Sequence, residues 1–250
     1  MSILSINKPR RLSLGFSTLD DFFQGFELGD FVVVRGNAAS FTSFVLSVQT
    51  QLPIEWGGLS SSTVFVDGGN RFSPYSIAEI AREYGLDPKT AMEKVYVSRA
   101  FTAHQLSSLV LEKLCFVLRK TRARLLIVSD ISSLFSDRDV PTVEARELFM
   151  KVCTKLSQIA SEKQAVVVVI YLPKKRSRME LFFEAVLFGK SNVLIRLRRK
   201  GRIFTFALED HPSINPFSKD FTVYQASSNC VQGGAGFGKN CSIIQASVGS

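Results

Sequence analysis

Five short, almost unbroken apolar runs recur along the chain: Phe31–Arg35, Thr63–Asp67, Lys94–Ser98, Leu125–Ser129 and Ala165–Leu172. Such runs are too short for a core helix and too continuous for a strand with one wet face, so each predicts a strand buried on both sides. Between them, Pro74–Tyr84, Ala103–Lys120 and Val143–Ser161 carry apolar residues at helical spacing, with Pro74 where a first helical turn tolerates proline. Strands alternating with helices in this way predict an α/β fold, a mostly parallel central sheet flanked by helices. After Leu172 the pattern changes. Asn192–Arg198 and Arg202–Leu208, divided by the turn-like Arg199-Lys200-Gly201, predict an antiparallel hairpin at the sheet edge.

The 250 residues, 46% of them hydrophobic, suffice for one large core domain over 12–226, after an N-terminal arm at 1–11. Residues 227–250 are rich in Gly and Ser, a tail expected to be disordered. No apolar run approaches the roughly 18 residues of a membrane span, and Met1–Arg11 lacks the apolar core of a leader. The expectation is a cytoplasmic or nucleoid-associated protein with no membrane partner. Cys115, Cys153, Cys230 and Cys241 form no CxxC pair, and His104 and His211 stand alone, which argues against zinc or a disulfide framework.

The first place that carries chemistry follows the strand Phe31–Arg35. Gly36-Asn37-Ala38-Ala39-Ser40-Phe41-Thr42-Ser43 leads into an apolar helix, the placement of a phosphate-binding P-loop. That loop needs a second glycine for its backbone to close round phosphates, a lysine for their charge and a hydroxyl for magnesium. Here Phe41 stands at the glycine position and Thr42 at the lysine, so only Gly36 and Ser43 match. Gly36, Ser40, Thr42 and Ser43 are the candidate relic of a nucleotide site. A second glycine-rich string, Gly233 to Asn240, has no strand before it or helix after it and reads as chance within the tail.

Further segments resemble the RecA/RadA recombinase family in order and spacing: Leu14-Gly15-Phe16-Ser17-Thr18-Leu19-Asp20, Gly29-Asp30, Gln51 to Gly58, the strand ending at Asp67, Phe72, Pro74, and Arg99-Ala100-Phe101-Thr102-Ala103-His104-Gln105-Leu106. The likeness runs through Leu125–Val128 and the Ala165 strand to the Arg198 hairpin, over about residues 12–210, and is nearer the archaeal and eukaryotic branch than the bacterial one. It implies a RecA-like P-loop NTPase core. Only about a dozen residues precede that core, so the helical DNA-binding domain found ahead of it in full recombinases is expected to be missing. The departures fall on the chemistry. Gly69 stands where the family carries the glutamate that activates water, Ser129 where it carries a magnesium-associated aspartate, with Asp130 one residue late, and Tyr171-Leu172 where an Asn-Gln pair couples phosphate to DNA. Hydrolysis depends on positioning and on charge stabilisation of the phosphate, so losing lysine, base and metal ligand together predicts little turnover.

The second place is a charge cluster. The formal net charge is +9, and residues 173–202 alone hold ten basic side chains against Glu180 and Glu184. By the resemblance, Lys174, Lys175, Arg176 and Arg178 lie in the family's DNA-contacting loop, while Arg196, Arg198, Arg199, Lys200 and Arg202 add the hairpin. Phosphate contacts give affinity without sequence information, so salt-sensitive, sequence-independent binding of single-stranded DNA is expected, with a log–log salt slope of about −3.5 if about five cations engage. Phe182-Phe183-Glu184-Ala185 matches the family's FxxA subunit-joining pattern, but both phenylalanines read more simply as core. The reading is therefore a non-catalytic recombinase paralogue that binds DNA and assists an active recombinase or sister paralogue in recombination or repair. No cofactor or metal is expected. Two alternatives stand beside it: a weak DNA-dependent ATPase that binds ATP with magnesium through Ser43 and Asp130, and a protein-interaction subunit without DNA binding.

Overall fold

The computed structural model describes residues 10–137, 139–173 and 177–222. Two short strands, β1 (Arg11–Leu12) and β2 (Phe26–Glu27), pair antiparallel around the one-turn helix α1 (Ser17–Asp20). The chain then runs β3 (Phe31–Arg35), α2 (Ala39–Gln49), β4 (Thr63–Asp67), α3 (Pro74–Glu83), α4 (Pro88–Glu93) and β5 (Val95–Arg99). It continues α5 (Ala103–Ser108), α6 (Leu114–Thr121), β6 (Leu125–Ser129), α7 (Thr142–Lys163), β7 (Val166–Tyr171), α8 (Arg178–Lys190), β8 (Val193–Lys200), β9 (Ile203–Asp210) and β10 (Phe217–Thr222). The main sheet has the order β10-β9-β8-β3-β7-β6-β4-β5. It is parallel from β8 to β5, and β9 and β10 extend it antiparallel.

Both faces of β3, β4, β6 and β7 are covered, which is why their sequences are continuously apolar. The run at Lys94–Ser98 departs from the expected burial on both sides: β5 is the outer strand, and Tyr96 and Val97 are exposed. One face packs Val32, Val34, Phe65, Ile127 and Val168 against Val45, Leu46, Ile77 and Ile80 of α2 and α3. The other packs Val33, Val66, Val128 and Val169 against Leu106, Leu114, Phe149, Leu156 and Phe183 of α5 to α8. Side-chain caps start several helices, with Ser73, Asp87, Thr102 and Ser177 each accepting from the backbone N–H three residues on. Left-handed residues stop two other helices, Arg122 after α6 and Gln164 after α7.

The differences from the sequence expectation have local causes. The third strand starts at Val95 because Lys94 closes α4. The helical stretch from Ala103 is continuous but contains a π-helical turn, Leu109–Lys113, that shifts the helix phase. The hairpin turn is Gly201-Arg202, with Gly201 at φ +61°, and Lys200 faces Ile203. It does not form the sheet edge. β8 lies inside the sheet against β3, and β10 is the outer strand on that side. Helix α8 was not expected either, although Ser177-Arg178-Met179-Glu180 has the S-x-x-E pattern of a helix start. Phe183 on α8 is fully buried against Phe149 (4.2 Å) and Phe135 (6.2 Å), in keeping with its reading as core.

Candidate functional site

Strands β3, β4, β6, β7 and β8 are parallel, so Arg35, Asp67, Ser129, Tyr171 and Lys200 end at one edge of the sheet, where open α/β folds place ligands. At its centre Gly36 takes φ +109°, and a Cβ added there would meet the Leu197 carbonyl oxygen at 2.1 Å. The chain from β8 thus lies directly over the turn. Helix α2 begins three residues later, at Ala39, before the position of the motif's second glycine. Four of the turn's donors are engaged within the protein: Ala38 N–H to the Leu197 carbonyl (3.2 Å), Ala39 N–H to Gly36 (3.1 Å), Phe41 N–H to Ala38 (3.1 Å) and Thr42 N–H to Ala38 (3.4 Å). Asn37 locks the arrangement, donating to the Arg199 carbonyl (3.0 Å) and accepting from the Arg199 N–H (2.7 Å).

The side chains follow suit. Ser43 Oγ donates to the Ser40 carbonyl at 2.6 Å, and the buried Thr42 hydroxyl reaches only the Ala38 carbonyl, at 3.5 Å. Ser40 is half-buried. Phe41 leans into an aromatic group, with Phe16 at 6.5 Å and Phe204 at 6.0 Å. A bulky side chain at the glycine position is therefore accommodated by packing inward.

Two buried carboxylates lie at the same end of the sheet, at β4 and β6, beyond β7 from the turn. Asp67 accepts from Arg71 N–H (2.9 Å) and Phe72 N–H (3.0 Å), so it holds the loop after β4. Asp130 follows β6 with φ +53°, donates its N–H to the Ile170 carbonyl (3.0 Å), and is 2% exposed. Its Oδ2 accepts from Arg71 Nε at 3.3 Å, whereas Oδ1 has no hydrogen-bond partner. A Cβ on Gly69 would lie 2.6 Å from Asp130 Oδ2 and 2.7 Å from its Cβ. The absence of a side chain at Gly69 and the placement of Asp130 are thus a single packing arrangement.

Tyr171, at the end of β7, is fully buried and donates its hydroxyl to Glu180 Oε2 at 2.9 Å, while Ser136 Oγ donates to Glu180 Oε1 at 2.9 Å. Burial, and then the neighbouring Glu180 carboxylate, push the Tyr171 hydroxyl well above its ordinary range.

Of the basic residues, Lys174, Lys175 and Arg176 lie outside the described residues, as do the tail, Cys230 and Cys241. Arg178 opens α8, exposed. Leu194 of β8 packs on the α7–α8 face, so Arg196, Arg198 and Lys200 alternate onto that same face. Arg196 pairs with Glu209 at 3.1 Å; Glu209 also takes a two-point contact from Arg35 (2.7 and 2.9 Å), and Arg35 reaches Glu184 at 3.3 Å. Arg196 is thus charge-balanced inside the fold. Arg199 points to the opposite face, 5.3 Å over the Phe204 ring, with its Nε donating to the Gly201 carbonyl. Among the described residues, Arg178, Arg198, Lys200 and Arg202 form no ion pair.

One cation escaped sequence reasoning. Arg146, near the start of α7 at the same end of the sheet, lies 5.0 Å over the Phe182 ring, and its buried Nε has no hydrogen-bond partner. Its neighbour Phe182 is 36 residues away in sequence, so no local pattern marks the pair.

A parallel sheet in this strand order, with its inner strands covered on both faces, a strand-turn-helix at its central β3 and an antiparallel C-terminal extension, is a RecA/RadA-type recombinase core. The family model described as Rad51 matches residues 12–174, and the chain belongs to that family, whose work is recombination and repair. The match stops near the end of β7, while the sheet continues without interruption through β8, β9 and β10. No helix among the described residues is long and apolar enough to cross a membrane.

Proposed function

We propose that this chain is a non-hydrolysing member of the recombinase family that binds single-stranded DNA and assists an active recombinase or sister paralogue. The observation that carries the reading is the turn at Gly36: the N–H groups of Ala38, Ala39, Phe41 and Thr42 are engaged by protein carbonyls, Leu197 covers the glycine, and α2 starts at Ala39. A phosphate-binding loop works through free, convergent N–H donors beside a lysine, and here four of the turn's donors are engaged and Thr42 stands in place of the lysine. Magnesium and ATP therefore do not fit the residues as they stand. Gly36, Ser40, Thr42 and Ser43 serve the start of α2 instead, and no reaction step is assigned to them.

DNA binding is supported by Arg178, Arg198, Lys200 and Arg202, which form no ion pair among the described residues, and by the cations at 174–176 that adjoin Arg178 in the sequence. Arg146 joins them, since an arginine stacked on an aromatic ring suits both phosphate and base contacts. Arg196 and Arg199 are engaged elsewhere and contribute less. Fluorescence anisotropy with a labelled single strand tests the reading. Affinity should fall steeply with salt, with a log–log slope near −3.5 for about five contacts. Unchanged affinity after replacing Lys174, Lys175, Arg176 and Arg178 by Ala would sink the site.

A second reading, a residual magnesium–ATP site, is favoured by one observation, the buried Asp130 oxygen without a partner. Phosphate release above background, abolished by Ser43→Ala, would establish it and overturn the first. DNA-independent co-purification with a recombinase, combined with no affinity for DNA, would instead favour a protein-interaction subunit.

A further inference from the structure

Glu180 is the only acidic residue in the first turn of α8, and it is buried. Three separate pieces of chain meet on it. Tyr171, at the end of β7, donates to Oε2; Ser136, in the segment after β6, donates to Oε1; and the Glu180 backbone N–H is capped by Ser177 Oγ at 3.1 Å. The Tyr171 hydroxyl also lies 3.3 Å from the Glu180 carbonyl oxygen. These contacts join the two ends of the connection from β7 to α8 and tie both to the segment that precedes α7. Among the described residues, the side chains that bond the Glu180 carboxylate are two hydroxyls, one on each oxygen.

We propose that the Ser136–Glu180–Tyr171 bridge is a built-in strut that positions the first turn of α8, and Arg178 with it, so that the DNA affinity of this chain is constitutive and independent of nucleotide. Glu180 and Tyr171 are positioning residues, since neither is free to touch DNA: Tyr171 is fully buried and Glu180 nearly so. The inference rests on the DNA reading above. It goes further by naming the device that replaces ligand-driven ordering of the interface. Buried, fully satisfied polar networks of this kind rigidify the elements they join, and a half-satisfied one costs more than none.

The test uses the full chain and a fluorescein-labelled oligo-dT, with anisotropy measured across a salt series, with and without magnesium–ATP. The wild-type Kd should change less than twofold on adding magnesium–ATP. Tyr171→Phe and Glu180→Ala should weaken binding about three- to tenfold. Both should also make the log–log salt slope shallower by about 0.7, the loss of one phosphate contact to a single strand. Glu180→Gln should bind nearly as wild type, because its amide oxygen still accepts from Tyr171 and Ser136 can rotate to accept from the amide nitrogen. Simple destabilisation would lower the active fraction and leave the slope unchanged. A Tyr171→Phe chain that is folded and has wild-type affinity and slope overturns the strut, as does a tenfold or greater strengthening by magnesium–ATP. If the wild type binds no oligo-dT, the DNA reading itself fails. The strut is then judged by hydrogen exchange: Tyr171→Phe must speed exchange of the Glu180 and Leu181 amides, and unchanged rates overturn it.

Discussion

The coupling of Gly69 to Asp130 can be measured as a free energy. Replacing Gly69 by Ala puts a Cβ 2.6 Å from Asp130 Oδ2, 2.7 Å from Asp130 Cβ and 3.1 Å from its Cγ. All three nearest atoms belong to one buried side chain, whose left-handed backbone and Arg71 contact give it little room to retreat. Overpacking of this kind costs about 1–3 kcal/mol. Asp130→Gly deletes every one of those atoms and relieves the φ of +53°, so Gly69→Ala in that background should cost almost nothing. A double-mutant cycle from urea unfolding should therefore return an interaction energy of about 1–3 kcal/mol, well above the roughly 0.5 kcal/mol scatter expected of independent sites. Additive costs would refute the reasoning. The functional corollary is that restoring a glutamate at 69 cannot by itself restore a water-activating base, because Asp130 already occupies the space beside it.

Three further outcomes are expected. Gly36→Ala combines a positive φ with a carbonyl 2.1 Å from the new Cβ, so it should destabilise the chain by more than the roughly 1 kcal/mol of an ordinary Gly→Ala strain, read from the urea midpoint. Phe183→Ala empties the space between Phe135 and Phe149 and should cost about 3–5 kcal/mol by the same measurement. Burial first, and Glu79 one helical turn back, raise the Glu83 carboxyl above its ordinary value. Its contribution to stability is therefore complete below the unfolded-state pKa and is lost as pH rises through the folded one. Glu83→Gln should raise the melting temperature at pH 7 and leave it unchanged near pH 3; an equal effect at both would rule out the charge as the cause.

Much of the fold was legible in the linear pattern because it depends on neighbours in sequence. Strands buried on both faces must be apolar throughout, and helices covering them must carry a stripe of period 3.6, so the runs at Phe31, Thr63, Leu125 and Ala165 mark a covered parallel sheet whatever their order. The family lead-in, the altered P-loop string and the surplus of cations over 173–202 could be read in the same way. The start of α8 also carries a local signal, the Ser177–Glu180 pattern, whereas the family resemblance places Arg178 in a DNA-contacting loop.

What only the tertiary structure decided are relations between residues far apart in the chain. Strand β6 pairs with β4, and this brings Asp130 against Gly69; β8 runs beside β3, and this lays Leu197 over Gly36 and turns Arg196 toward Glu209. Likewise, Tyr171 lacks an amide when read in sequence, yet in the fold it carries Glu180 and the start of α8. A linear pattern specifies which side chains must be buried and at what period. Which buried groups meet is set by strand order and register, because hydrogen bonds and steric exclusion act only over a few ångströms.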